Sequence, residues 1–506
     1  MLPFLDEMTL EVIGVHRLRS GYKPLSEIGR VQRSELRFWS AQEKQEWTAQ
    51  KEALLELEAW LETHENTGAF TGHLSKISDP REILQRLSGD QTLEESDFFL
   101  LKRFLFHAAE ILGSLARLHA ELGHQERALK TLMAELHPEP EPSARFVLSD
   151  TLDKRLAHAR TQRKHARKNS QEIRKTLESQ ILESNSGRFD AHGFWRPGPD
   201  SKPDPRLTNE SGVWRLVDPA LNKAEEELRD AELHLEAIEF EVREKLASIL
   251  RPHAHALGEA LEVVTQFDHR WALIRLKNDI QGTWPTWSDS EERLKASRAV
   301  DFESKPLDLE FSQLAIIAGP NMGGKSTVLK AWGLAHWCLH HLFPVPADEA
   351  VLRPVSHIIY VGSESAEMTD GLSSFGREIS RLVHWWGASP PALWLLDEVA
   401  RGTHPDEGAA IATEILDNLA ADGHLVVCAT HFPEVAQHQS GQAWRVAGLP
   451  ESDVVERAMA GAAEPLEALK ELMDFNLIPN PQHEVPRDAR VVAKALGLKL
   501  KTRSNA

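Results

Sequence analysis

The chain has 506 residues, room for two to four domains, and its 41% apolar and 27% charged composition is that of an ordinary soluble protein. No apolar run approaches the roughly 18 residues a membrane-spanning helix needs, and the opening MLPFLDEMTLEVIG has no basic start of a secretory signal, so a cytoplasmic protein is expected. A formal charge of −19 argues against a surface coated for nucleic acid but leaves room for one local basic element.

Residues 1–148 read as an all-α core. Apolar residues recur at three-and-four spacing from Trp47 to His64 and from Phe98 to Leu122. Leu101, Phe104, Leu105, Ala108, Leu112 and Leu115 form one such stripe. The PEPEP stretch, Pro138 to Pro142, reads as a turn or linker.

Residues 149–265 read as a long helical arm. A polar helical pattern from Ser149 to Glu183 carries Lys154, Arg155, Arg160, Arg163, Lys164, Arg167 and Lys168, with Arg174 and Lys175 beyond. The pattern breaks at a Gly/Pro-rich tip near 186–219 that also holds Phe189, Phe194, Trp195 and Trp214. A second long pattern runs from Pro219 to about Val264. Two long helices around such a tip predict an antiparallel pair. The basic run reads in two ways, as a phosphate-contacting surface or as the solvated face of an exposed helix. The acidic Glu225, Glu226 and Glu227 on the returning helix weigh against the first.

After a helical connector at 266–300, the pattern of 301–506 becomes α/β. Short apolar strands at Leu314–Ala318, His357–Val361, Leu393–Leu396 and Leu425–Cys428 alternate with helices, as in a mostly parallel sheet. Cys338 and Cys428 stand in apolar segments outside any CxxC pair and read as buried free thiols.

The chemistry concentrates in this last region. GPNMGGKST (Gly319, Pro320, Asn321, Met322, Gly323, Gly324, Lys325, Ser326, Thr327) fits the phosphate-loop pattern directly after a strand and before a helix. Its glycines allow backbone N–H groups to face phosphate oxygens, and the helix N-terminus adds positive potential. Lys325 is expected at the β- and γ-phosphates and Ser326 at Mg²⁺. LWLLDE places Asp397 and Glu398 at the end of a buried strand, Asp397 for Mg²⁺ and Glu398 to polarise the attacking water. Thr430-His431 ends the next strand, where polar residues face the ligand crevice of such sheets, so His431 is expected at the γ-phosphate. In EMTDGLSSFGRE, Glu367 to Glu378, Gly371, Ser373 and Ser374 look like a helix N-cap region. These residues predict ATP and Mg²⁺ as cofactors.

In this order the segments resemble the MutS family. GPNMGGKST matches the family's phosphate loop in full. LLDEVARGT (Leu395 to Thr403) resembles its acid-pair segment, and ATHFPEV (Ala429 to Val435) its histidine switch. EMTDGLSSF resembles the segment bearing the ABC-type signature serine, which carries a trans γ-phosphate contact onto Ser373. The family usually has Arg just before that serine, and this chain has Leu372. The resemblance implies a P-loop, ABC-type ATPase domain behind a helical core and arm, in a homodimer with two composite sites. It implies a start of the helical core at Asp6 to Gly14. With no Phe-x-Glu in the first 140 residues and an end soon after Leu498, a shortened member without the mismatch-reading domains or the Smr tail is expected. Two functions follow: a clamp-like ATPase acting on DNA, or an ATP-dependent remodeller of a protein partner, such as a reactivation factor for a cobalamin-dependent aminomutase. A third, an ATP-binding scaffold with little turnover, is opposed by the intact Lys325, Asp397 and Glu398.

Overall fold

The computed structural model describes residues 2–33, 36–63, 67–89, 91–136, 148–298, 306–319, 324–362, 374–450, 454–455, 472, 474–485, 492–493 and 498. The chain divides into two compact units. Met1–Leu25, Gly29–His64 and Asp268–Ala506 form the first, and Ser26–Ile28 with Glu65–Phe267 the second.

From the N-terminus the helices are α1 (Glu7–Val12), α2 (Val15–Gly21), α3 (Glu27–Gln32), α4 (Lys44–Glu62), α5 (Thr67–Leu74), α6 (Arg81–Ser88), α7 (Glu95–Leu115) and α8 (Leu122–Leu136). The stripe on α7 is buried at all six positions named above. A capping box starts that helix. Glu94 takes the Asp97 backbone N–H, and Asp97 takes the Glu94 N–H at 2.8 Å. Arg86 then forks onto the same buried Asp97 at 2.9 and 2.6 Å.

The two longest helices of the second unit are α9 (Lys154–Ser184) and, after the strands β1 (Gly187–Phe189), β2 (Trp195–Pro197), β3 (Leu207–Glu210) and β4 (Val213–Leu216), α10 (Pro219–Leu250). Aspartates cap both starts. Asp153 accepts from the Arg155 N–H, and Asp218 accepts from the Ala220 N–H, followed by Pro219 in the first helical turn. The four strands form a sheet in the order β1-β2-β4-β3. One face of it carries Trp195, Trp214 and Leu207, which pack with Ile181 of α9 and Leu221 of α10. Phe189, Trp195 and Trp214 therefore serve core packing, with Trp195 fully buried, whereas Phe194 lies under the Arg215 guanidinium. α11 (Ala254–Asp279) follows.

The first unit contains β5 (Thr286–Trp287), β6 (Arg293–Ser297), β7 (Leu307–Glu310), β8 (Leu314–Ala318), α12 (Lys325–His341), β9 (Glu349–Leu352), β10 (Ile358–Gly362), α13 (Ser374–Trp385), β11 (Leu393–Asp397), α14 (Pro405–Ala421), β12 (Leu425–Thr430), α15 (Pro433–Ala436), β13 (Gln442–Gly448) and β14 (Asp474–Pro479). Its main sheet runs β10-β11-β12-β8-β13-β14. The first five strands are parallel and β14 closes one edge antiparallel. Continuous apolar runs such as LAIIA and LWLL suit strands buried on both faces. Leu314, Ile316, Ile359, Val361, Trp394, Leu396, Val426 and Cys428 share one core with Leu382 and Trp385 of α13 and Ile415 and Leu416 of α14. Each fully buried Leu or Ile stabilises by about 1.5–3 kcal/mol. On α12, Gly333 leaves room for Leu395, whose Cδ1 would lie 2.7 Å from an added Cβ.

α1, in the segment expected to open the helical core, packs against β10 of this sheet. Asp6 caps α1 by accepting from the Thr9 N–H at 2.9 Å and pairs with Arg381 of α13 at 2.7 Å. Both cysteines are buried free thiols, and burial pushes the Cys428 thiol up to about 12. Among the described residues no helix is long and apolar enough to cross a membrane.

Candidate nucleotide site

Sheet register brings the site together. Gly362, Asp397 and Ala429 stand side by side at the carboxyl ends of β10, β11 and β12, and Ala429 and Thr430 are level with Ile317 and Ala318 of β8. The phosphate-loop segment, the acid pair and the Thr430-His431 turn thus leave the sheet along one row. Crevices outside the carboxyl ends of such strands are where ligands bind.

Gly319 follows β8 and is buried. A Cβ there would lie 3.2 Å from Val446 of β13. Gly324 has φ of 80°, a left-handed conformation suited to glycine, and α12 starts at the next residue. Pro320, Asn321, Met322, Gly323 and Ser373 lie outside the described residues. Lys325 is buried in the first turn of α12. Its Nζ donates to the Gly319 carbonyl at 2.7 Å and lies 3.2 Å from Glu398 Oε1. Thr327 occupies the same turn, half-buried.

The Ser326 hydroxyl hydrogen-bonds to the Asp397 carboxylate. A second hydroxyl reaches the same group: Tyr360 of β10 donates to Asp397 Oδ2 at 3.0 Å. Burial raises the Asp397 carboxyl above its ordinary value and neighbouring Glu398 adds to that, while the two hydroxyls and Lys325 work against it. Tyr360 escaped the sequence reading. Its one signal is a polar tip inside the otherwise apolar run Ile358–Val361.

Glu398 stands just past β11 with φ of 55°. Its N–H donates to the Ala429 carbonyl at 2.9 Å, which ties the acid to β12. Its carboxylate faces three cationic or titratable groups: Lys325, Arg401 at 2.8 Å and His431 Nδ1 at 3.7 Å. The last separation is too long for a hydrogen bond, and His431 Nδ1 is buried with no hydrogen-bond partner among the described residues. Burial lowers the His431 pKa below its ordinary value, with Lys325 and Arg401 acting the same way and Glu398 opposing. The Thr430 hydroxyl accepts from the Phe432 N–H at 3.0 Å and shapes the turn that presents His431.

The basic run on α9 has a different character. Arg155 pairs with Asp153 and with Glu241 of α10, both at 2.8 Å. Arg160 pairs with Asp150 at 2.7 Å and with Glu239 at 3.2 Å, and Lys168 lies 3.6 Å from Glu172. Arg174 is bonded to Glu225. The pairs of Arg155 with Glu241, Arg160 with Glu239 and Arg174 with Glu225 join α9 to α10 in their antiparallel register. Lys154, Arg163, Lys164 and Arg167 are exposed and make no ion pair among the described residues.

Comparison with known proteins gives the same assignment. The family model for MutS domain V matches residues 315–457, the stretch that contains every described site residue. Curated relatives include Endonuclease MutS2 of Halothermothrix orenii, 29% identical over 245 residues that make up 46% of this chain and 30% of the relative. Endonuclease MutS2 of Streptococcus suis is 31% identical over 202 residues, 38% of this chain and 26% of the relative. That of Streptococcus thermophilus is 26% identical over 399 residues, 73% of this chain and 50% of the relative. The chain thus spans half or less of the length of these relatives. None of these names points to an aminomutase partner, and the remodelling alternative is not favoured. The matched domain at residues 315–457 and the likeness to these relatives support a MutS-family protein.

Proposed function

We propose that this protein binds ATP with Mg²⁺ at the carboxyl edge of its six-stranded sheet, hydrolyses it, and uses the cycle to drive a clamp-like change on DNA. The observation that carries the ATPase reading is the convergence of Lys325, Ser326, Asp397 and Glu398 on one row of strand ends. Lys325 holds the β- and γ-phosphates, aided by the phosphate-loop backbone from Gly319 to Thr327. Entering phosphate oxygens compete with Glu398 for the Lys325 ammonium, and the freed carboxylate orients the attacking water. The water oxygen bonds to the γ-phosphorus as the bond from that phosphorus to the β–γ bridging oxygen breaks; one water proton passes to solvent, and ADP and inorganic phosphate leave. His431 adds a contact to the γ-phosphate.

The residues fit Mg²⁺. Among the described residues no cluster of three or more His, Cys, Asp or Glu side chains forms a metal cage. The edge instead brings the Ser326 hydroxyl to the Asp397 carboxylate. That sparse oxygen set suits an ion that keeps waters and shares its remaining positions with phosphates. Bound there, Mg²⁺ would neutralise charge developing on the transferred phosphoryl group.

Two sites would form in a homodimer, Ser373 of one subunit completing the site of the other, in a cytoplasmic protein. The DNA reading draws on the relatives' name and on the exposed α9 residues Lys154, Arg163, Lys164 and Arg167, which make no ion pair among the described residues. The small sheet adds to it. Its register sets Arg188, Arg196 and Arg215, on three adjacent strands, on the face opposite Phe189, Trp195 and Trp214. Backbone neutralisation of this kind gives affinity without sequence preference. The nuclease activity in the relatives' name remains theirs.

The test is a salt titration of duplex, branched and single-stranded DNA binding, with and without ATP, alongside ATPase rates. Affinity should fall steeply with salt, and the logarithmic slope should shrink by roughly 1 for each phosphate contact removed at Lys164 or Arg167. No binding at low salt would remove the DNA half of the reading and leave the ATPase half standing.

A further inference from the structure

We infer that Glu378 of α13 is a positioning residue for Glu398, acting through the backbone of Ala400, with Gly408 of α14 as the opposing surface of the same clamp. The inference rests on the proposed role of Glu398 in orienting water.

The loop that leaves β11 is unusual in its backbone. Glu398 and Ala400 have φ of 55° and 64°, two left-handed non-glycine residues separated only by Val399. L-residues enter that region at a cost and stay there when their surroundings over-determine them. Here the surroundings are visible. The Ala400 N–H donates to Glu378 Oε2 at 3.1 Å. On the other side, a Cβ added to Gly408 would lie 2.6 Å from the Ala400 carbonyl oxygen and 3.2 Å from the Phe432 ring. One helix therefore holds the amide N–H of Ala400, and a second approaches its carbonyl as closely as a residue without a side chain allows.

Glu378 is costly for a helix to keep. It is buried at 4% exposure and forms no ion pair among the described residues. A buried carboxylate that accepts a single backbone N–H among the described residues points to a task other than stability. Its carboxyl is also held above its ordinary value by that burial. Two residues upstream of Ala400, the backbone of Glu398 decides whether its carboxylate faces Lys325, 3.2 Å away, or swings out toward solvent. Releasing Ala400 lets that backbone relax out of the left-handed region and takes the carboxylate with it. The phosphate-binding residues on α12 are untouched.

The experiment compares steady-state ATPase parameters of the full chain with those of Glu378→Ala, Glu378→Gln, Gly408→Ala and Glu398→Gln. Glu378→Ala should lower kcat by about tenfold to a hundredfold, with KM for ATP changed by no more than about twofold. Glu378→Gln keeps an oxygen that accepts from the Ala400 N–H and should restore kcat to within about threefold of the parent. Gly408→Ala, whose methyl group meets the Ala400 carbonyl, should reproduce the loss in kcat. A Glu378→Ala protein at the parental kcat overturns the inference, as does a Glu378→Gln protein as impaired as Glu378→Ala. Should Glu378→Ala fail to fold, Gly408→Ala at the parental kcat overturns it instead. Glu398→Gln separates the two layers. Hydrolysis at the parental rate in that variant removes the role of Glu398 itself. An inactive Glu398→Gln beside a fully active Glu378→Ala removes only the positioning role.

Discussion

The carboxyl edge of the six-stranded sheet and the α9–α10 helix pair both concentrate charge, yet they treat it in opposite ways. At the sheet edge a few ionisable groups are buried, set in place by strand register, and left competing for one another: Lys325 for Glu398, Tyr360 and Ser326 for Asp397. Along α9 the charges are many and exposed, and each of several arginines has an acidic partner of its own. Buried charges whose partners are exchangeable suit a site that must accept phosphate and metal. Exposed, paired charges mainly hold two helices in register. A basic run in a sequence is therefore weaker evidence of a ligand than a short acid pair at the end of an apolar strand.

The comparison is broken most severely at Lys325. Lys325→Ala should cut ATP hydrolysis by about 10²- to 10³-fold, read as kcat/KM with a thermal melt to confirm folding. A small effect would mean that the buried edge is no more chemical than the helix pair.

Acid should damage the first unit for a related reason. His340 is fully buried in α12. One ring nitrogen donates to the Trp39 carbonyl at 2.7 Å and the other accepts from the Val355 N–H at 2.9 Å, which requires the neutral ring. Burial lowers its pKa to about 3. Since the folded value is depressed, this contribution is complete above the unfolded value near 6.5 and drains away as pH falls toward about 3. Denaturant unfolding should lose about 1.4 kcal/mol per pH unit for this one group below pH 6.5. A flat profile between pH 7 and 5 would contradict the neutral, doubly bonded ring.

A sharper pairing sets one lost polar contact against another. Tyr360→Phe removes a buried hydrogen bond to a carboxylate and should destabilise by about 1–3 kcal/mol. Arg160→Ala removes two partly exposed ion pairs and should cost only about 0.2–1 kcal/mol. Chemical denaturation of both variants measures the contrast, and equal losses would erase it.

Much of the first unit was readable beforehand because its signals are local. An apolar strand, a glycine-rich turn and a helix in succession announce Gly319 to Lys325, and LWLLDE announces Asp397 and Glu398. The four strands named from sequence all lie in the six-stranded sheet, although the one read from His357 runs from Ile358 to Gly362. What stayed hidden depends on register between distant segments. Tyr360 reaches Asp397 only because β10 and β11 pair as they do. Asp6 and Arg381 meet although they are 375 positions apart in sequence. The link from Glu378 to Ala400 joins two motif segments that lie 22 residues apart in sequence, and only the packing of α13 against the loop after β11 brings them together. The basic run on α9 is only partly legible for the converse reason: the α10 partners of Arg155 and Arg160 appear only once the two helices are set antiparallel.

The central claim is that Glu398 is a hydrolytic residue in an ATP site and not merely the ion-pair partner of Lys325 and Arg401. Single-turnover hydrolysis of radiolabelled ATP by Glu398→Gln, with retained nucleotide counted after rapid gel filtration, tests it directly. The amide keeps the shape of the side chain and loses its charge. The account predicts ATP retained intact and hydrolysis slowed by about 10²- to 10⁴-fold. Hydrolysis at the parental rate would contradict it.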